Sequence, residues 1–130
     1  MQNMKFYLCK HCKNLVWKAH DSGVSLKCCG EDMTELTANT VDAAQEKHVP
    51  VLEVNGNTVT VKVGEVEHPM LDEHFIGLIG LQTGDYAIEF KQLHAGEKPE
   101  ATFVVADANA PMVAYEWCNL HGLWMAQKNG

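Results

Sequence analysis

Arginine is absent, and all ten basic residues are lysines. Without a guanidinium there is no bidentate grip on phosphate. Residues 37–130 set five lysines against thirteen acids, a balance of -8, while residues 1–36 set five against four, a balance of +1. The larger part would repel a polyanion, which argues against nucleic acid as a partner. Long apolar runs are missing too. None approaches the ~18 to 20 residues of a membrane span, and no secretory h-region follows Met1. Serine occurs only at Ser22 and Ser25, which leaves a serine hydrolase little to work with. The five cysteines are an odd number, and with no signal peptide they argue against a secreted disulfide framework and for reduced thiols in a cytoplasm. Metal binding is the natural use of such thiols.

What is present falls into two parts. The segment from Met4 to Leu36 carries Cys9, Cys12, Cys28 and Cys29 with few large apolar residues. That is the composition of a small fold nucleated by a metal, with Phe6, Leu8, Val16 and Trp17 suited to short strands. Thr37 to Gln45 is small and polar and reads as a linker. From Val49 the pattern turns to strands: Val51–Val54 and Thr58–Val63 flank Asn55-Gly56, a pair that suits the positive φ angles of a tight hairpin turn. Phe75 to Leu81, Tyr86 to Phe90, Thr102 to Val105 and Val113 to Trp117 are further short runs, separated by turn residues. Their spacing, with no helical stretch between them, predicts an all-β chain ending in an antiparallel sandwich.

Four thiolates within twenty-one residues are a strong metal signature. Thiolates select zinc or iron among common metals, and spacing does not distinguish the two. Adjacent Cys28 and Cys29 cannot form the usual two-residue chelate loop, so strain is expected there. A vicinal disulfide and a structural zinc remain open alternatives. With four thiolates present, His11 reads as an exposed side chain. Lys10, Lys13 and Lys18 would soften the negative charge of such a centre.

The fifth cysteine belongs to another cluster. His48 in EKHVP, His68 in HPM, His74, and Cys118 with His121 in CNLHG gather imidazoles and one thiol at loops or strand edges. Singly each is weak, but together they suggest a second metal site. The sequence has no His-Glu-x-x-His, and His68 and His74 are too far apart for a helical i,i+4 chelate. A two-histidine-one-carboxylate site would not need the thiolate. Cys118 with His121 as a cysteine-protease pair stays conceivable, although no orienting third residue is identifiable.

Taken together, these motifs resemble desulfoferrodoxin, the two-iron form of superoxide reductase, over nearly the whole chain. The resemblance implies a desulforedoxin-like four-cysteine iron domain at 1–37. It implies a catalytic domain at 38–130 with an immunoglobulin-like antiparallel β-sandwich fold. His48, His68, His74 and His121 would then be equatorial ligands of a second iron, with Cys118 axial and the sixth position open. In the family the glutamate at Glu46 can close that position in the ferric state, and the lysine at Lys47 attracts superoxide and assists protonation. A homodimer, rubredoxin or a similar electron donor, and a cytoplasmic role in oxidative-stress detoxification are also implied. The chemistry agrees. Superoxide needs one electron and two protons to become hydrogen peroxide, and a thiolate opposite the open position pushes electron density toward it. One exposed ammonium can steer a small anion locally despite the balance of -8. Lys13 stands where the family usually has glycine, Leu78 where tryptophan is common, Tyr115 where a basic residue is frequent, and Leu123 where HGHW is common. His20 and His94 match no ligand position.

Overall fold

Short apolar runs become short strands throughout: the computed structural model, which describes residues 1–85 and 87–129, holds twelve strands and one brief helix among them. The chain separates into two units, Met1–Thr37 and Ala38–Gly130.

In the first unit β1 (Phe6–Leu8) pairs antiparallel with β2 (Leu15–Trp17). β3 (Lys27–Cys28) and β4 (Glu31–Asp32) form a separate hairpin. β5 (Thr34–Leu36) completes the order β2-β1-β5. Phe6 lies opposite Trp17 on one side and Leu36 on the other, so one cross-strand row supplies most of the apolar contact. Only Phe6 and Cys9 are fully buried among the described residues of this unit.

The second unit opens with α1 (Gln45–His48), a single turn. β6 (Pro50–Asn55), β7 (Thr58–Val63), β8 (Ile76–Gly84), β9 (Ala87–Gln92), β10 (Glu100–Val104), β11 (Met112–Cys118) and β12 (Gly122–Lys128) follow. They form two antiparallel sheets, β10-β7-β6 and β12-β11-β8-β9. Seven antiparallel strands in two sheets are the sandwich that the strand spacing predicts. Strand alternation builds its core. Val59, Val61 and Val63 point inward from β7 and meet Ala101 and Phe103 of β10, while Ile76, Ile79, Leu81, Met112, Ala114 and Cys118 face them from β8 and β11. Burial of each valine, isoleucine, leucine, methionine or phenylalanine among them stabilises by roughly 1.5–3 kcal/mol.

Three local features differ from the sequence reading. Asn55 is still paired, with Thr58, so the hairpin loop is Gly56-Asn57 and only Gly56 takes a positive φ, of 62°. The stretch expected to be a linker runs into α1 at Gln45. The last strand, β12, was not signalled by Met125-Ala126-Gln127; pairing along the whole of β11 makes it a strand. Of the expected run from Tyr86 to Phe90, Tyr86 lies outside the described residues and the rest falls in β9.

Candidate metal centres

The sulfurs of Cys9, Cys12, Cys28 and Cys29 lie within 4.8 Å of one another, and all four residues are free thiols. Two turns bring them there. The first is closed by Lys13 N–H donating to the Cys9 carbonyl and Cys9 N–H donating to that of Asn14, both at 3.0 Å. The second explains the adjacent pair. Cys28 pairs with Glu31, so Cys29-Gly30 is a two-residue hairpin loop with φ of 53° and 78°, the doubly positive pattern of a type I′ turn. A non-glycine residue there costs about 1–2 kcal/mol of backbone strain.

Sulfur spacing tests whether a metal fits. A tetrahedron of metal–sulfur bonds near ~2.3 Å has edges of about 3.8 Å. Cys12 and Cys28 are 3.5 Å apart, and Cys28 and Cys29 4.0 Å, so the set fits an ion and excludes a vicinal disulfide. The Cys12 backbone N–H brings the Cys9 thiol down to about 6. Proton sharing with the Cys12 and Cys9 sulfurs pushes Cys29 up to about 12. The same two sulfurs push Cys28 up as well, so Cys28 and Cys29 hold their protons until a cation relieves the charge. Asn14 adds a side-chain N–H 3.7 Å from the Cys28 sulfur. His11 is exposed, as expected, and reaches Glu31 at 3.0 Å on the second ligand turn. Lys18 does not serve the sulfurs; it bonds Asp21 and the Val24 carbonyl and lies over the Tyr7 ring.

The second cluster brings His48, His68, His74, His121 and Cys118 together. Neighbouring ring centroids are 4.7 Å (His48–His68), 4.6 Å (His68–His74), 5.1 Å (His74–His121) and 4.8 Å (His121–His48), while His48 and His74 face each other at 6.4 Å. Neighbours stand 79–85° to one another, and the facing pair is only 29° from parallel. The four imidazoles therefore form a square. Cys118, fully buried at the end of β11, has its sulfur 4.0 Å from His121 Nδ1.

Hydrogen bonds decide which nitrogens face inward. His48 Nδ1 is 2.7 Å from the Ala44 carbonyl and His68 Nδ1 is 2.6 Å from that of Pro69. A carbonyl only accepts, so Nδ1 holds the proton and Nε2 turns a lone pair to the centre. Those lone pairs converge. His48 Nε2 is 3.2 Å from His68 Nε2 and 3.0 Å from His121 Nδ1, while His74 Nε2 is buried without a partner. Metal–nitrogen bonds of ~2.1 Å at right angles place neighbouring nitrogens about 3.0 Å apart, so these residues fit a metal ion. Burial, followed by the neighbouring imidazoles, holds His68 down at about 4; burial lowers His48 and His74 as well. Neutral imidazoles are what a metal requires. Burial pushes the Cys118 thiol up, so its deprotonation awaits the ion.

Backbone packing places these ligands. A Cβ on Gly64 would lie 2.7 Å from the Glu46 carbonyl oxygen and 3.0 Å from that of Val49, so bare backbone is required beneath α1, which carries His48. A bulge in the β8–β11 register skips Gly77, where a Cβ would meet the Trp117 ring at 2.8 Å, and turns Ile76 into the core opposite Cys118. Trp124 stacks on His48 at 5.0 Å and donates its ring N–H to the His121 carbonyl at 3.1 Å. Glu46 and Lys47 are exposed on α1 immediately before His48, and the Lys47 ammonium adds to the lowering of His48 and His74. His20 and His94 join neither cluster.

Sequence reasoning missed Gly64, Gly77, Asn119, Trp124 and Glu116. The last is fully buried with neither carboxylate oxygen hydrogen-bonded, and burial raises its pKa well above the usual range. Alternation along VAYEWC could have signalled it, since Glu116 shares a strand face with Ala114 and Cys118. Of the departures noted in the sequence, Tyr115 is buried and donates its hydroxyl to Gln82 at 3.0 Å, and Leu123 is buried opposite Trp117.

Comparison with known proteins places this geometry in context. Residues 40–127 match the family model described as desulfoferrodoxin. A desulfoferrodoxin of Syntrophotalea carbinolica is 44% identical over 126 residues, covering 97% of this chain and 98% of that protein. The crystal structure of the superoxide reductase from Treponema pallidum superposes with a TM-score of 0.79 at 36% identity, covering 95% of this chain and 97% of that one. A one-iron superoxide reductase from Giardia intestinalis matches with a TM-score of 0.57 at 30% identity, covering 65% of this chain and 99% of its own.

Proposed function

Because the chain belongs to the desulfoferrodoxin family, we propose that it is a superoxide reductase, converting superoxide to hydrogen peroxide without releasing oxygen. The observation that carries this reading is the square of four imidazoles beside one buried thiol. Two irons per chain are implied, one at the four cysteines and one at His48, His68, His74, His121 and Cys118. Iron at the second site supplies the single electron the reaction needs.

The chain's own residues do the rest. Nε2 of His48, His68 and His74, Nδ1 of His121 and the Cys118 sulfur would hold that iron. Lys47 draws the anion in with one ammonium and supplies a proton at Nζ. Glu46, beside it on α1, would offer a carboxylate to the iron when no substrate is held. Residues 1–37 act as a desulforedoxin-like iron domain and residues 38–130 as the catalytic domain. The Giardia enzyme supports that division, since its whole length needs only about two thirds of this chain. A one-electron carrier of the rubredoxin type re-reduces the site, and the protein works as a homodimer in the cytoplasm. Five free cysteines suit such a reducing compartment. Among the described residues no helix is long and apolar enough to cross a membrane.

The test is rapid mixing of reduced, iron-loaded protein with superoxide, following superoxide decay, peroxide yield and oxygen. One peroxide per superoxide without oxygen is expected. Oxygen evolution would mark a dismutase, and unaccelerated decay would leave only a closed electron-transfer centre.

A further inference from the structure

The four imidazoles are not held alike. His48 and His68 are each fixed through the ring, by an Nδ1–H bond to a carbonyl. His74 has no such bond: its Nε2 faces the centre, and its ring makes no protein hydrogen bond among the described residues. Outer bonds to a ligand's second nitrogen normally fix its orientation, so something else must fix His74.

We propose that Asn119 is the positioning residue that holds His74 in the square. Its side-chain oxygen accepts the N–H of Phe75 at 2.8 Å, and its side-chain N–H donates to the Glu73 carbonyl at 3.0 Å. The two bonds therefore bracket His74 along the backbone. A third runs from Asn119 N–H to the Phe75 carbonyl at 3.2 Å. Only one orientation of the amide satisfies a donor on one side and an acceptor on the other. His74 is tied from within its own loop as well, its N–H and carbonyl both bonded to Leu71, at 3.1 and 2.8 Å. Asn119 then fastens that loop to the turn that carries Cys118 and His121. Three ligand residues, His74, Cys118 and His121, thus share one unit, fastened by the Asn119 side-chain amide together with its backbone N–H.

This inference rests on the proposed iron site, and the experiment separates the two. In full-length iron-loaded protein, Asn119→Ala is compared with wild type for iron retention against a chelator, with the four-cysteine iron as reference in the same molecule. Retention at the histidine site should fall about 10- to 100-fold, with the four-cysteine site unchanged. The thiolate-to-iron absorption and the electron-paramagnetic-resonance signal should shift as they do in His74→Ala. Adding Asn119→Ala to His74→Ala should cost nothing further, because the amide acts through that imidazole. Wild-type retention in Asn119→Ala, or losses that simply add, would overturn the proposal. Should the alanine variant not fold, Asn119→Asp serves in the same cycle, since it keeps the acceptor for Phe75 and loses the donor to Glu73. Failure of the wild type to hold iron at the histidines would instead sink the functional reading beneath it.

Discussion

In residues 1–37 four sulfurs stand on two turns with little apolar cover, whereas in residues 38–130 four imidazoles and one thiol hang on a seven-stranded sandwich whose core extends well beyond them. Among the described residues the first unit fully buries only Phe6 and Cys9, and the second buries three valines of β7 together with Ile76, Ile79, Leu81 and Phe103. In the first unit the ion replaces a core; in the second it is a guest of one. Removing both irons should therefore have unequal consequences. Structural metal ions of this kind contribute on the order of 10 kcal/mol to folding, so amide exchange in residues 1–37 should rise to the unfolded rate on chelation. Strands β7, β8 and β11 should stay protected. Equal loss in both units, or protection of both, would break the comparison.

The same contrast divides the cysteines by function. Cys118→Ser should abolish superoxide reduction and the thiolate-to-iron absorption while leaving the sandwich folded and the four-cysteine spectrum intact. Cys12→Ser should do the reverse, costing metal and order in residues 1–37 and sparing peroxide formation from chemically reduced protein. Measured side by side on the full chain, an active Cys118→Ser would remove that thiolate from the reaction, and a Cys12→Ser that is inactive with iron still at the histidine site would show that the second unit depends on the first.

Both clusters were legible in the sequence, because ligands are named by residue type and turns by their neighbours. Cys9, Cys12, Cys28 and Cys29 declare themselves by spacing, and EKHVP, HPM and CNLHG by chemistry that ordinary loops lack. The sandwich was legible from strand spacing, up to β11. What escaped was whatever depends on a partner distant in the chain. β12 is a strand because β11 is beside it. Asn119 matters through Glu73 and Phe75, more than forty residues away. Gly64 matters because α1 crosses it.

Gly64→Ala measures how far backbone packing fixes the second site. The added Cβ would meet the Glu46 and Val49 carbonyl oxygens and the Lys47 carbonyl carbon at 2.7–3.0 Å, all of them backbone. Nothing there is a flexible side-chain end, so α1 must shift and carry His48 with it. Overpacking of this sort costs about 1–3 kcal/mol. Thermal unfolding of the second unit should move down, and iron retention at the histidines should weaken, with the first unit unaffected. Unchanged iron retention would mean that the metal, and not the scaffold, sets the position of His48, which would make the two units more alike than their cores suggest.

Lys13→Gly asks the corresponding question of the first unit, with the smallest expected effect. Two non-glycine residues there take positive φ, Lys13 at 66° and Cys29 at 53°. The strain at Cys29 is unavoidable, because its sulfur is one of the four. That at Lys13 is optional, because its side chain lies outside the sulfur cluster. Glycine removes a penalty of about 1–2 kcal/mol but gives back about 0.4–1 kcal/mol through a freer unfolded chain. The net gain should lie between about 0 and 1.6 kcal/mol, seen as slower iron loss from the four-cysteine site under denaturant. Lys13→Ala separates the causes: it keeps the Cβ and discards the charge, so it should give no such gain. If alanine stabilises as much as glycine, the ammonium and not the backbone is what Lys13 contributes, and the first turn is less strained than its φ implies.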